Sequence, residues 1–210
     1  MPKFLFALFT ALILNVQGVQ ANNYVAGTHY EVLPTPVATR NKNKIEVVAL
    51  FWYGCSPCFS FAPMLNTWQA NLPNDVDLHH MPAVWNGTMK LHAQAFYTAR
   101  ALGVMDKFHQ PFFNAMHVER QRLSTEKSVE QFFEKIGVDN KKFKKTFDSF
   151  GVTTQVTLAE SRASSYRMQG TPELVVNGKY RIATALAGSH SEMIKVAEHL
   201  IALERAGRSK

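Results

Sequence analysis

The stretch Phe51–Pro63, FWYGCSPCFSFAP, decides how this chain folds. It contains Cys55 and Cys58, which are the only two cysteines among the 210 residues. A pair at this spacing occurs as a structural disulfide, as half of a metal site, or as a redox centre. The residues around the pair, and the rest of the chain, distinguish these three kinds of site.

The cysteine pair lies between a predicted strand and a predicted helix. Ile45–Tyr53 reads IEVVALFWY, a β-branched and aromatic run typical of a strand buried on both faces. A helix is predicted over Ser56–Leu72, with a kink at Pro63 because proline removes a backbone donor. Val76–Val84 reads as a second strand, and the order strand, helix, strand predicts a parallel pair.

The sequence does not support a metal or haem site. Structural zinc needs four ligands, usually two such cysteine pairs or one pair with two spaced histidines. A c-type haem requires histidine directly after the second cysteine, where Phe59 stands. His79 and His80 are neighbours on a predicted strand, so we expect one to face the core and one to face solvent. We predict no metal and no cofactor.

A redox role agrees best with the position of the pair. Cys55 is expected at the N-terminus of a helix, where unpaired N–H groups and the helix dipole stabilise a thiolate. A lowered pKa makes a thiol both available at neutral pH and a good leaving group. Cys58 follows one turn later and is expected to be the buried resolving thiol. A purely structural disulfide here would close a loop of few residues and hardly constrain the unfolded chain.

The N-terminus predicts export from the cytosol. Lys3 precedes an apolar run, Phe4–Leu14, and small residues lead to Ala21. This pattern is typical of a secretory signal peptide cleaved after Ala21. The run is well short of the roughly 20 residues that a spanning helix needs. We therefore expect the mature chain, residues 22–210, to lie where disulfides persist.

The positive charge of the chain does not indicate a nucleic-acid partner. The formal net charge is +7, and the basic residues are scattered rather than arranged in a stripe. The densest group sits at helical spacing beside phenylalanines: Lys141, Lys142, Lys144 and Lys145. Such a group is typical of a solvated helix face, and we predict no binding to nucleic acid.

A helical block follows the strand–helix–strand unit. Over residues 88–150 the apolar side chains recur every three or four positions. Its last helix is expected to bury Phe143, Phe147 and Phe150. Three glycines are expected to end helices: Gly103, Gly137 and Gly151. A long helical block between two strand regions predicts an inserted helical subdomain.

The C-terminal part returns to strands. A helix over Thr154–Met168 precedes two short strands, Glu173–Val176 and Lys179–Ala183. An Asn-Gly pair at 177–178 joins them, which is a strong hairpin signal because both residues tolerate positive φ. An amphipathic helix over Ser191–Glu204 closes the chain.

These features resemble a known family. FWYGCSPC, between a buried strand and a helix containing Pro63, resembles the thioredoxin fold. The helical block, and GTPELVVNGKY at Gly170–Tyr180, resemble the bacterial periplasmic DsbA disulfide oxidoreductases. The implied fold class is α/β, a thioredoxin-like central mixed sheet flanked by helices, with an inserted helical subdomain. The implied parts are a signal peptide (1–21), a first thioredoxin-like part (22–87), the insertion (88–150) and a second thioredoxin-like part (151–210).

The resemblance implies a role for each matching residue. Cys55 corresponds to the exposed nucleophile, and Cys58 to the resolving cysteine. Pro172 corresponds to the family's cis-proline, whose loop packs against the cysteine pair. Thr171 is expected to offer its backbone to an extended substrate peptide.

The chain departs from its best-known relatives at two places. Ser56-Pro57 stands where they carry Pro-His, and a histidine there helps to stabilise the thiolate. We therefore expect a less acidic Cys55, although Ser56 is able to donate a hydrogen bond to the sulfur. Ala49 occupies the strand position where relatives often place a buried acid, and Glu46 stands at the wrong distance to replace it.

The implied activity is dithiol oxidation in the periplasm. Its substrates would be reduced, unfolded exported proteins, and a quinone-linked membrane protein of DsbB type would reoxidise a monomeric enzyme. A reductase or isomerase of the same fold remains an alternative, since threonine before the cis-proline also occurs in related isomerases. A further alternative is a non-catalytic module that holds copper(I) with its two thiols.

Overall fold

A computed structural model describes residues 24–208 of the chain. The predicted signal peptide, residues 1–21, lies outside the described residues. The strands are β1 (Glu31–Val32), β2 (Ile45–Phe51), β3 (Val76–Pro82), β4 (Glu173–Val176) and β5 (Tyr180–Ala183). The helices are α1 (Ser56–Ala70), α2 (Gly87–Leu102), α3 (Met105–His117), α4 (Glu126–Lys135), α5 (Asn140–Phe147), α6 (Phe150–Ser165), α7 (Thr184–Ala187) and α8 (His190–Arg208). None of these helices combines the length and the apolar character needed to cross a membrane.

The strands form one mixed sheet in the order β1-β5-β4-β2-β3. β2 runs parallel to β3, which confirms the predicted strand–helix–strand unit, and antiparallel to β4. The hairpin of β4 and β5 turns at Asn177 and Gly178, both with positive φ as predicted. β3 is therefore an edge strand, whereas β2 lies inside the sheet with all its residues buried.

The core lies on both faces of the sheet because side chains alternate along β2. Val48 and Leu50 join a cluster that includes many phenylalanines of the inserted helices. Val47 and Ala49 join a second cluster on the other face, with α8. The inserted helices thus share a continuous core with one face of the sheet.

The end of the helical block differs from the prediction. Phe143 and Phe147 are buried, but Phe150 is 85% exposed. The reason is a helix boundary, because the Ser149 side chain accepts a hydrogen bond from the Val152 N–H and starts α6. Gly151 lies within the first turn of this new helix and does not end the previous one. Gly103, by contrast, ends α2 with a left-handed φ of 69° as predicted.

The expectation for the two adjacent histidines was also wrong. His79 and His80 are both half-buried, so neither is simply in the core or in solvent. Their strand β3 is at the sheet edge, where both faces are only partly covered. The other predicted elements match to within a few residues at their ends, and α1 continues through Pro63, but β1 and α7 were not predicted.

Candidate active site

Cys55 caps the N-terminus of α1, as the sequence predicts. Its backbone is extended (φ −92°, ψ 111°), and its Sγ accepts a hydrogen bond from the Cys58 N–H at 3.2 Å. A thiolate at this position receives a backbone N–H and the positive end of the helix dipole. Both cysteines are free thiols in this structure.

The pKa values of the two thiols are shifted in opposite directions. The pKa of Cys55 is lowered from 9.0 to about 6, chiefly by a hydrogen bond from the Cys58 side chain, with further lowering from hydrogen bonds of the Thr171 side chain and the Cys58 N–H. Burial acts against this shift. The pKa of Cys58 is raised far above its ordinary value, first by burial and then by its bond and charge interaction with Cys55. At neutral pH the pair therefore consists of a Cys55 thiolate and a Cys58 thiol.

Cys55 is less exposed than the resemblance implied. Its exposed fraction is 8%, against 2% for Cys58, so it is the more accessible sulfur but still largely covered. The Thr171 loop provides part of the cover. In the protonated form Cys55 Sγ donates to the Thr171 carbonyl oxygen at 3.3 Å.

The Thr171-Pro172 peptide bond is cis, as the resemblance implied. The loop that contains it meets a cysteine 116 positions earlier in the chain. The structure therefore brings Cys55, Cys58, Thr171 and Pro172 into one site.

Ser56 and Pro57 occupy the first turn of α1, and both side chains are exposed. Within residues 24–208, no hydrogen bond joins the Ser56 side chain to the Cys55 sulfur. The Cys55 sulfur instead accepts a hydrogen bond from the Cys58 N–H, and the side chain of Ser56, the first residue of the helix, is exposed to solvent.

Glu46 does not replace the acid missing at Ala49. Its carboxylate is buried near the start of β2, where it accepts a hydrogen bond from the Arg40 N–H at 2.9 Å. The Arg162 guanidinium lies 3.7 Å from the same carboxylate. These contacts hold Glu46 at the opposite end of the strand from the cysteines.

Sequence reasoning missed a buried ion-pair chain behind the cis-proline loop. Glu173 Oε1 accepts hydrogen bonds from the N–H groups of Gly170 (3.1 Å) and Gln169 (3.4 Å). Arg181 binds the Glu173 carboxylate at 3.2 Å and reaches Glu31 at 2.8 Å. The signal was present, since Glu173 and Arg181 are charged residues in two short, otherwise apolar strands.

A second set of contacts supports the junction between β2 and α1. Tyr53 is fully buried, and its hydroxyl lies 2.6 Å from His109 Nδ1. Burial lowers the pKa of His109 to about 3 and raises that of Tyr53, so both groups are neutral. His117 donates from Nε2 to the Tyr53 carbonyl at 2.7 Å and stacks on Phe59. The inserted helix α3 thus holds the backbone just before Cys55.

Gly54, directly before Cys55, is required by the packing of Trp52. A Cβ on Gly54 would lie 2.3 Å from a ring carbon of Trp52. The ring is not free to move away, because Trp52 Nε1 donates to His92 Nδ1 at 3.1 Å. His92 in turn bonds through Nε2 to the Leu123 carbonyl.

Gly54→Ala is expected to lower the free energy of unfolding by about 1–3 kcal/mol, the usual range for overpacking. Urea unfolding of the oxidised protein measures the change. Gly87→Ala is the matched control, because a Cβ there would meet nothing within 4 Å. Equal stability of the two variants would show that the Trp52 ring has room to shift.

Comparison with known proteins extends the likeness beyond the cysteine motif. A family model described as a DSBA-like thioredoxin domain matches residues 46–198. The chain is 39% identical over 206 residues to the thiol:disulfide interchange protein DsbA of Pseudomonas aeruginosa, with 98% of each chain covered. It is 38% identical to the protein of the same name from Azotobacter vinelandii, with 97% of this chain and 94% of that one covered.

Solved structures are similar over the same length. The crystal structure of Pseudomonas aeruginosa DsbA gives a TM-score of 0.86 at 40% identity, covering 90% of this chain and 99% of that one. The oxidoreductase DsbA of Xylella fastidiosa gives 0.82 at 29% identity, covering 87% and 98%. The similarity therefore includes the sheet, the inserted helices and the cis-proline loop.

Proposed function

This chain belongs to the DsbA family of thiol:disulfide oxidoreductases, with the family's thioredoxin-like α/β fold, and from that premise we propose that it works as a dithiol oxidase. The observation that carries the proposal is the unequal acidity of its two thiols. Cys55, with its low pKa, is the sulfur that exchanges with substrate, and Cys58 is the resolving thiol.

The reaction starts from the Cys55–Cys58 disulfide. A substrate thiolate attacks the Cys55 sulfur, the bond to Cys58 breaks, and Cys58 leaves and takes up a proton. A second substrate thiolate then attacks the substrate sulfur of the mixed disulfide. Cys55 leaves as a stable thiolate, the substrate has lost two electrons to the protein, and a disulfide has formed in the substrate.

The low pKa of Cys55 favours this direction. A thiol whose pKa falls from 9.0 to about 6 is stabilised by about 1.4 kcal/mol at pH 7 relative to an ordinary thiol, which is largely protonated there. For a two-electron couple this makes the pair more oxidising by about 30 mV. The stabilisation belongs to the reduced form only, because the disulfide has no thiolate.

The redox potential of the pair tests the direction. Equilibration of the purified mature protein with glutathione buffers is expected to give a potential above that of thioredoxin, which is about −270 mV. A value at or below thioredoxin's would favour the reductase or isomerase alternative. Two observations support that alternative: Ser56-Pro57 lacks a histidine beside the thiolate, and Thr171 precedes the cis-proline.

The acidity of Cys55 also predicts a pH dependence of stability. Because the folded pKa is lowered, the extra stability of the reduced form is fully present above the unfolded pKa and is lost as pH falls through about 6. From pH 8 to pH 5, the reduced protein is expected to lose unfolding free energy relative to the oxidised protein. A constant difference, with thiolate absorbance showing no transition near pH 6, would contradict the assigned thiolate.

Replacing Ser56-Pro57 by Pro-His is expected to lower the pKa of Cys55 further, because the new imidazole adds a donor beside the thiolate. Titration of thiolate absorbance against pH measures the shift. Lys145→His, distant in sequence and exposed, controls for the added histidine. An unchanged titration would mean that the helix terminus and the Cys58 contacts alone set the acidity.

We further propose that the substrates are reduced, unfolded exported proteins and that a DsbB-like, quinone-linked membrane protein reoxidises the enzyme. Thr171 supports the first part, because its carbonyl oxygen lies beside Cys55 and its loop offers backbone to an extended peptide. We propose a periplasmic monomer, consistent with the sequence pattern of residues 1–21. Fractionation and sizing of the native protein, with the in vivo redox state of the pair, test these points.

The copper-binding alternative finds less support. Two thiols are suitable soft ligands. However, the one group of three or more histidine, cysteine or carboxylate residues in the described chain whose ligand atoms lie close enough to share a metal ion is Glu46, Asp77 and His79, without a cysteine. Stoichiometric copper retained after dialysis, together with no turnover of a dithiol peptide, would reverse this choice.

A further inference from the structure

A second concave site lies away from the cysteines. It is a surface cavity of about 280 Å³ beside the edge strand β3, lined also by residues of α2 and α6. Six of its lining residues carry the argument: Arg40, His79, His80, Tyr97, Arg100 and Arg162. Neither cysteine lines the cavity. His80, which does line it, pairs in register with Ala49 in the middle of β2.

The charges around this cavity do not balance. Arg40 contacts Asp77 at 2.8 Å and Glu46 at 3.5 Å, and Arg162 lies 3.7 Å from Glu46. Arg100 makes cation–π contacts with Phe96 and Tyr97 of its own helix. No carboxylate in residues 24–208 forms an ion pair with it. Three guanidinium groups therefore face two carboxylates, which leaves one positive charge uncompensated.

The cavity also contains unpartnered buried polar atoms. His79 Nδ1 and His80 Nε2 are buried and have no hydrogen-bond partner in the described part of the chain. Burial first, and then nearby arginines, lower the pKa of His79 to about 3 and that of His80 to about 4, so both rings are neutral. A neutral imidazole nitrogen that carries hydrogen is a donor, and leaving it unpaired in a buried position costs free energy.

A metal cation does not suit this place. The ligand atoms of Glu46, Asp77 and His79 are close enough to share an ion, but Arg40 already contacts both carboxylates. A cation would have to displace this guanidinium and would also meet the charges of Arg100 and Arg162. An anion meets the opposite situation, because the Arg100 guanidinium forms no ion pair with a carboxylate of residues 24–208 and presents several N–H donors.

We propose that this cavity binds a small oxyanion, a carboxylate or phosphate group, at Arg100 and on the side of β3 that His79 faces. Arginine presents paired N–H donors that match two oxygens of either group. The volume suits a metabolite-sized anion rather than a folded partner. The ligand would cancel the surplus charge and, in the tautomer with hydrogen on Nδ1, supply an acceptor to His79.

Titration of the oxidised mature protein with two probes tests the proposal. Inorganic phosphate and succinate are added at constant ionic strength, with chloride as the balancing anion, and backbone amide NMR shifts are followed. At least one probe is expected to give saturable shifts centred on His79, His80 and Arg100, and the stronger probe identifies the preferred group. Shifts that never saturate, or that chloride alone reproduces, would overturn the site.

Two variants locate the binding. Arg100→Gln removes the uncompensated charge and is expected to weaken binding at least tenfold. Gln155→Glu places a negative charge at an exposed helix position that lines the cavity, so it is expected to weaken binding similarly without disturbing the core. Arg122→Gln makes the same charge change as the first variant outside the cavity and is expected to leave binding unchanged. Equal affinity in all three variants would overturn the proposal.

Discussion

Cys55→Ser is expected to abolish thiol:disulfide exchange, whereas Cys58→Ser is expected to trap mixed disulfides at Cys55. Cys55 is the thiol with the low pKa and the larger exposed fraction of the two. Serine has no comparably acidic group and forms no disulfide, so the first variant loses the exchanging sulfur. The second variant keeps the nucleophile but lacks the thiol that resolves the intermediate.

A dithiol peptide oxidation assay with oxidised glutathione measures the first effect, and activity is expected to fall to the uncatalysed rate. Non-reducing gels and mass spectrometry of intact protein detect the trapped adducts of the second variant. Ser60→Ala is the matched control, because Ser60 is an exposed residue of the same helix and is bonded to the Ser56 carbonyl instead of to a sulfur. Adducts formed mainly on Cys58 in the first variant would reverse the assigned roles.

Arg181→Met is expected to lower the free energy of unfolding by about 3–5 kcal/mol, the usual loss when one partner of a buried ion pair is removed. Arg181 and Glu173 have side chains only 5% and 4% exposed. Burial already raises the pKa of Glu173 even with Arg181 beside it. Without the guanidinium, the carboxylate must stay charged in a buried place or take up a proton.

Urea unfolding of the oxidised protein measures this effect, and the loss is expected to be smaller at acid pH, where Glu173 is protonated. Adding Glu173→Leu to Arg181→Met is expected to restore part of the stability, because no unpaired charge remains. Lys195→Met breaks the exposed pair with Glu192 and is expected to have a far smaller effect, since water screens that pair. A similar loss from both single variants would contradict the buried-charge explanation.

The loss of Arg181 is also expected to affect the active site. Glu173 accepts the Gly170 and Gln169 N–H groups and so holds the loop that brings Thr171 to Cys55. A loosened loop is expected to shift the thiolate titration of Cys55. The same titration in Lys195→Met is expected to match the unchanged protein.

Several features were predictable from the sequence because neighbours in the chain determine them. The continuous β-branched and aromatic run marks β2, and the apolar period marks the inserted helices. Asn177-Gly178 specifies the hairpin, since both residues adopt positive φ. Cys55 follows the strand and precedes the helix, so its role as the helix cap was already implied. The predicted burial of Phe150 was wrong because Ser149 caps a new helix there, although that cap is a local feature of the sequence.

The sequence alone therefore determined the order of elements, the parallel strand pair and the place of a reactive thiol at a helix N-terminus. Only the tertiary structure decided which distant groups meet: the Thr171 carbonyl with Cys55, Arg181 with Glu173 and Glu31, and three arginines around His79 and His80. The physical reason is the separation along the chain over which each interaction acts. Helix period, capping and turn geometry act over a few residues, whereas the partner of a buried charge depends on how strands and helices far apart in the chain pack together.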